Sequence, residues 1–400
     1  MMALALALAL AAEPALKLDP QITLWLELDT NAKRVPSGLL GDTAGHITPP
    51  LGPAELPLAD GLVETLATLA AEVHNDKVTL RSETALGIKL FFAERAERMI
   101  AAQERAALST SLGDGAALTL TAFGKGRTQI SGVRTYALAS GTALLDKTTF
   151  DWLTLRAGFS GQAFDALDND IDLDGVPDGI DVAPKNPCIP NENARACSVP
   201  LPLDPCADTA PALACPSIFT SAGASLLAGA RAALGSAEHL DVMLDGGAHA
   251  YPFAPRDLAP NQPDRRADLV GTATIQLTSA RRVFLSAGYA VTRDASNTRG
   301  ESYTRHRLSG VVGFRLPADV TCSAQGALQL TQYDDGVSIG QAYFFGDDQE
   351  SQNFVDVTLS RPLFGGLTVE GHIAFFGNEL AVEGARFSRE TAALGIRAQL

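Results

Sequence analysis

The feature that most constrains this chain is an alternation of apolar and polar residues with a period of two, repeated along much of its length. In 281–292, Val283, Leu285, Ala287, Tyr289 and Val291 fall on one side of an extended chain, and Arg282, Ser286, Gly288 and Thr292 on the other. In 303–316, Leu308, Gly310, Val312, Phe314 and Leu316 oppose Arg305, Arg307, Ser309 and Arg315. The stretches 320–333, 353–360, 367–376 and 78–92 repeat the pattern, with Val355, Val357 and Leu359 against Asp356, Thr358 and Ser360 in the second of these. Successive strand side chains point to opposite faces, so each stretch predicts a strand with one apolar face.

A soluble sheet with one wet face would alternate in the same way. The connections separate the two cases. Back from the C-terminus, long connections (377–386, 334–350, 293–302, 251–265 and 165–217) take turns with short ones. The short ones are Arg361–Gly366, Pro317–Asp319, Ser279–Arg281, Gly235–Ala237 and Asp146–Thr149. A Greek-key sandwich has no reason to keep that rhythm, whereas an up-and-down barrel with short turns at one end and long loops at the other does. Continuing to the N-terminus gives strands near 132–145, 115–124, 98–111, 77–92, 61–73 and 21–32, for a total of sixteen. Residues 93–108 and 61–73 also have helix-like composition. If both are helical, fourteen strands remain.

Composition narrows the class further. The 400 residues are 46% hydrophobic, yet beyond the first dozen positions no apolar run reaches the length of a membrane-spanning helix. Acidic side chains outnumber basic ones 46 to 31, so no basic domain exists to bind nucleic acid. Residues 3–11 are an apolar segment ending in Ala9-Leu10-Ala11, the length and ending of a secretory signal peptide over 1–12, although no basic residue precedes it.

The last residues, Leu394 to Leu400, place Leu394, Ile396, Ala398 and Leu400 on one face and Gly395, Arg397 and Gln399 on the other. An alternating strand at the very end of a chain resembles the Gram-negative outer-membrane β-barrel family, whose final strand carries the assembly signal. In that family the last residue is usually Phe or Trp; here it is Leu400. The resemblance implies a porin-like, all-β, up-and-down antiparallel transmembrane barrel over 21–400, with short periplasmic turns and long outer loops. It further implies an outer-membrane location, lipid around the wall and barrel-assembly machinery as the partner of the C-terminal strand.

The longest loop, 165–217, holds the most specific motif. From Asp170 the chain reads DIDLDGVPDGID, with carboxylates at Asp170, Asp172, Asp174, Asp178 and Asp181, Gly175 at the sharp turn and Val176 offering a carbonyl. Calcium takes six to eight hard oxygens, and these positions supply them at the spacing of a twelve-residue calcium loop. Position twelve is Asp instead of Glu and no helical pattern flanks the motif, so it resembles the thrombospondin type-3 repeat. That resemblance implies bound calcium. The same loop carries Cys188, Cys197, Cys206 and Cys215, evenly spaced and flanked by prolines. In an exported chain they are expected to form two disulfides in one of three pairings, because the spacing is poor for zinc. Cys322 is expected to be a free thiol. Ten acidic side chains in 165–217 against Lys185 and Arg195 concentrate over half of the net charge of −15 in one loop.

No catalytic constellation is present, and no enzyme activity is expected. Arg282, Arg305, Arg307, Arg315, Asp356 and Glu370 fall on polar faces and are candidates for the barrel lumen, together with Lys89, Arg156, Arg397, Asp241 and Asp268. Opposed charges there either fill the lumen structurally or bias ion passage. The expected function is a passive pore for small solutes with a calcium-stabilised surface loop. A surface adhesion protein using the acidic loop is one alternative, and a secreted soluble β-protein is another. Solute and oligomeric state are open.

Overall fold

In the computed structural model the chain forms a closed, sixteen-stranded antiparallel barrel. The structure describes residues 15–30, 59–75, 77–93, 95, 98–129, 136–166, 220–255, 265–298, 301–334, 353–377 and 388–400. The first half comprises β1 Ala15–Asp29, β2 Asp60–His74, β3 Val78–Phe91, β4 Met99–Gly113, β5 Ala116–Gln129, β6 Tyr136–Phe150, β7 Leu153–Ala166 and β8 Ser221–Ala233. The second comprises β9 Glu238–Pro255, β10 Arg265–Ala280, β11 Val283–Ser296, β12 Tyr303–Arg315, β13 Thr321–Tyr333, β14 Asn353–Pro362, β15 Leu367–Gly377 and β16 Ser388–Gln399. Every strand pairs with its sequence neighbours, and β1 closes the wall against β16 from Gln21↔Gln399 to Asp29↔Thr391. Closure leaves no sheet edge and lets each backbone donor find a strand partner, a condition for crossing hydrocarbon.

The alternation in the sequence becomes the two faces of this wall. Outward positions hold large apolar side chains open to the surroundings, such as Leu226 at 74%, Leu328 at 65% and Leu394 at 65% exposure. A continuous apolar outer surface of this kind is stable in lipid and is a liability in water. It rules against the soluble reading. At the short-turn end the Phe150 and Trp152 rings stack at 5.9 Å, and both are exposed, placing aromatic side chains at one rim of the apolar band.

Residues 61–73 and the 99–108 part of the other helix-like segment are strands, so the barrel has sixteen. Propensity loses to pairing here: β4 is laddered to β3 and β5 along its length. Its outward Glu104 accepts hydrogen bonds from Ser82, at 2.8 Å, and from Thr84, which makes an otherwise costly outward carboxylate tolerable.

Three short turns differ from expectation, one of them Arg361–Gly366, whose Arg361 and Pro362 belong to β14. The Asp146–Thr149 turn is instead strand, since β6 runs to Phe150 and the chain reverses at Asp151-Trp152. The β-branched Thr148 and Thr149 suit a strand, and Lys147 Nζ is satisfied by the carbonyl of Asp114 in the adjacent turn. Likewise β10 includes Ser279 and Ala280, and its turn is Arg281-Arg282. The β4–β5 turn is built by Gly113, Asp114 and Gly115, all at positive φ (86°, 49° and 69°), a conformation for which glycine is the low-cost residue.

Candidate functional site

The inward face is polar, and its charges gather where the ends of the chain meet. Odd-numbered residues of β1 and β16 and even-numbered residues of β14 and β15 point inward, which brings Trp25, Glu27 and Asp29 beside Glu370, His372, Arg389 and Arg397. Glu64 of β2 and Lys89 of β3 join from the other side of the seam. All of these except Asp29 line a cavity of about 470 Å³ open to the lumen, together with Asp356, Thr358, Phe376, Thr391 and Ala393.

Ion pairs organise the seam. Arg389 Nε donates to Asp29 Oδ2 at 2.7 Å, and its Nη2 lies 3.6 Å from Glu27 Oε1; all three side chains are buried. Lys89 Nζ is 3.0 Å from Glu64 and 3.8 Å from Glu27. Arg397 pairs with Glu370 at 3.0 Å, and His372 Nε2 meets Asp356 Oδ2 at 2.6 Å. Asp356 and Glu370, singled out from the sequence, therefore sit in one cavity, each with a cationic or imidazole partner.

A second cluster lies at the long-loop mouth of β9–β12. Arg266 bridges Asp268, at 2.7 Å, and Glu301, at 2.9 Å, while its guanidinium stacks 4.1 Å from the Tyr251 ring. Asp294 is 4% exposed, and its Oδ1 has no hydrogen-bond partner among the described residues. Arg305 lies 4.6 Å from the Tyr303 ring and donates to Thr331 at 3.3 Å; Arg307 reaches Gln329 at 3.5 Å. Just beyond β13, Arg293 Nη1 donates to Asp334 at 2.7 Å and holds that carboxyl below its ordinary range.

The remaining candidates are scattered. Arg315 ends β12 at the short-turn rim and Arg282 lies in the β10–β11 turn, both exposed. Arg156 and Arg231 share Asp241 at 2.7 and 2.8 Å across β7–β9. Cys322 is a free thiol on the outward face of β13. The signal-peptide segment, the calcium-loop residues Asp170, Asp172, Asp174, Val176, Asp178 and Asp181, and Cys188, Cys197, Cys206 and Cys215 lie outside the described residues. Among the described residues no group of acidic, His or Cys side chains has metal-binding geometry.

Sequence reasoning did not single out Trp25, Glu27, Asp29, Arg266, Asp294 or Arg389. Their inward parity was readable from the neighbouring leucines of β1 and from the alternation of β11. Their partners were not, because a seam between residues 29 and 389 depends on how the barrel closes.

No family model matches the chain, and no curated protein matches it. Among solved structures the chain is similar to an anion-selective porin from Comamonas acidovorans, at 12% identity and a TM-score of 0.40, covering 97% of this chain and 100% of the porin. It is also similar to OmpT, an outer membrane protein of Vibrio cholerae, at 9% identity and a TM-score of 0.40, covering 98% and 99% of the two chains. A triple mutant of the Rhodopseudomonas blastica porin gives 8% identity and a TM-score of 0.34, covering 96% and 100%. These likenesses span whole chains loosely; the strand pairing of this chain defines its fold.

Proposed function

We propose that this protein is an outer-membrane pore through which small hydrophilic solutes pass passively. One observation carries the reading: a closed wall of sixteen strands whose inner face, among the described residues, is charged and polar. Barrels of sixteen strands are wide enough for an aqueous channel. Among the described residues only eight apolar side chains are buried, and four of them form two pairs, Val73 with Leu80 and Leu62 with Phe91. That is too little to pack the interior of a barrel this wide. The short turns then face the periplasm and the long loops the exterior, as is usual for bacterial barrels. Calcium at Asp170–Asp181 ordering the longest outer loop belongs to the same proposal.

Liposome swelling tests it. Vesicles holding the purified protein are expected to swell in isotonic arabinose, more slowly in larger sugars, and not at all without protein. Absence of swelling by heat-modifiable, folded protein would refute passive passage.

A further inference from the structure

Trp25 stands out as an indole on a cavity wall lined mainly by charged and polar side chains, where the other rings are His372 and Phe376 and the Phe376 ring lies under Arg389. It pairs directly with Gly395 across the β1–β16 seam. A Cβ built at Gly395 would lie 2.5 Å from Trp25 Cε3 and 2.6 Å from Cδ2, so the indole occupies the space that a side chain at 395 would need. The His372 ring meets the indole edge-on at 6.2 Å, and Asp356 fixes His372 at 2.6 Å. Trp25 is thus pinned to the wall yet half-exposed to the cavity that it lines.

The chemistry around the indole selects a ligand class. Glu370 with Arg397, Asp356 with His372, and Glu64 with Lys89 each offer acceptors beside donors, already matched in charge. A charged solute would have to break one of these pairs to bind, leaving a partner unmatched. A ring hydroxyl fits without breaking any, since it donates to a carboxylate oxygen and accepts from the adjacent N–H. An aromatic solute would cover the indole but leave those polar groups desolvated and unanswered. A neutral, polyhydroxylated ring with one flat C–H face meets both demands. The volume of about 470 Å³ lies within the ~300–1,000 Å³ common for small-molecule sites.

We propose that the seam cavity, with Trp25 as its stacking platform on Gly395, is a binding subsite for pyranose sugars. This deepens the pore reading and rests on it, but its test has a readout that does not need a pore. The full-length protein carries two tryptophans, Trp25 and Trp152, so Trp152→Phe makes Trp25 the sole emitter. That variant is titrated in detergent with maltose, and separately with benzoate, while single-channel current is recorded over the same concentrations. Maltose is expected to change Trp25 emission saturably and to reduce the current over the same range, with no response to benzoate. In channels that keep Trp152, Trp25→Ala is expected to weaken the maltose block at least tenfold. Trp25→Phe, which keeps a ring, is expected to weaken it less, and Gly395→Ala, which displaces the indole, several-fold. An emission response without any current would overturn the pore and leave the subsite standing. Current without a maltose response in either signal, or a benzoate response in place of one to maltose, would overturn the subsite.

Discussion

Around the seam, Glu27, Glu64, Asp356 and Glu370 face Lys89, Arg389, Arg397 and His372, and each has a partner within that set. At the long-loop mouth, Asp268, Asp294 and Glu301 gather about Arg266, with Arg305 engaged by Tyr303 and Thr331. The first cluster spreads its contacts over several pairs, so it can border a cavity without depending on any one of them. The second centres on one guanidinium, and it buries the Asp294 carboxyl, whose Oδ1 has no hydrogen-bond partner among the described residues. Inward polarity alone is therefore not a function: matched pairs make a surface for a neutral ligand, whereas a hub residue ties one stretch of wall to Glu301 ahead of β12.

Removing the hub should break this contrast most visibly. Arg266→Ala strands Asp268 and Glu301 beside Asp294, and loss of about 3–5 kcal/mol is expected, read as a lower urea midpoint for the folded barrel in detergent. Arg389→Ala should cost less, about 2–3 kcal/mol, because Lys89 still faces Glu27 and only Asp29 loses its charged partner at the seam. Equal losses from the two variants would erase the distinction between hub and network. The smallest effect belongs to the exposed Arg293–Asp334 pair, whose carboxylate lies just past β13. Its carboxyl is depressed, so its stabilising contribution is present above the unfolded value of ~3.9 and disappears as pH falls through the folded one. Asp334→Asn should cost a little at pH 7 and converge with the parent as pH falls, which flattens that part of the acid limb. A large change at pH 7 would contradict that assignment.

Much of the wall was legible because period two is a local property. Every inward or outward assignment made from the sequence along β3 and β11–β15 matches the face seen, from Lys89 to Glu370. Turn positions slipped by a few residues at Asp146–Thr149 and Ser279–Arg281, since threonines and serines serve strand ends and turns alike. Residues 93–108 looked helical because Ala, Glu and Arg favour helices in isolation, and only hydroxyls on the neighbouring strand make Glu104 acceptable facing outward. The site was less legible for a geometric reason: parity tells which face a residue occupies but not its height or its neighbours. Glu370 and Arg397 were both assigned inward, but that they meet at 3.0 Å follows from the β15–β16 register. Trp25 was visible as a residue and invisible as a platform, because Gly395 lies 370 positions away.

The central claim is a water-filled passage through a sixteen-stranded wall, and single-channel recording in planar bilayers tests it most directly. The account predicts discrete, voltage-tolerant current steps of uniform size from protein that migrates faster on gels unheated than boiled. Folded, heat-modifiable protein that inserts and yet carries no current at any voltage would contradict it.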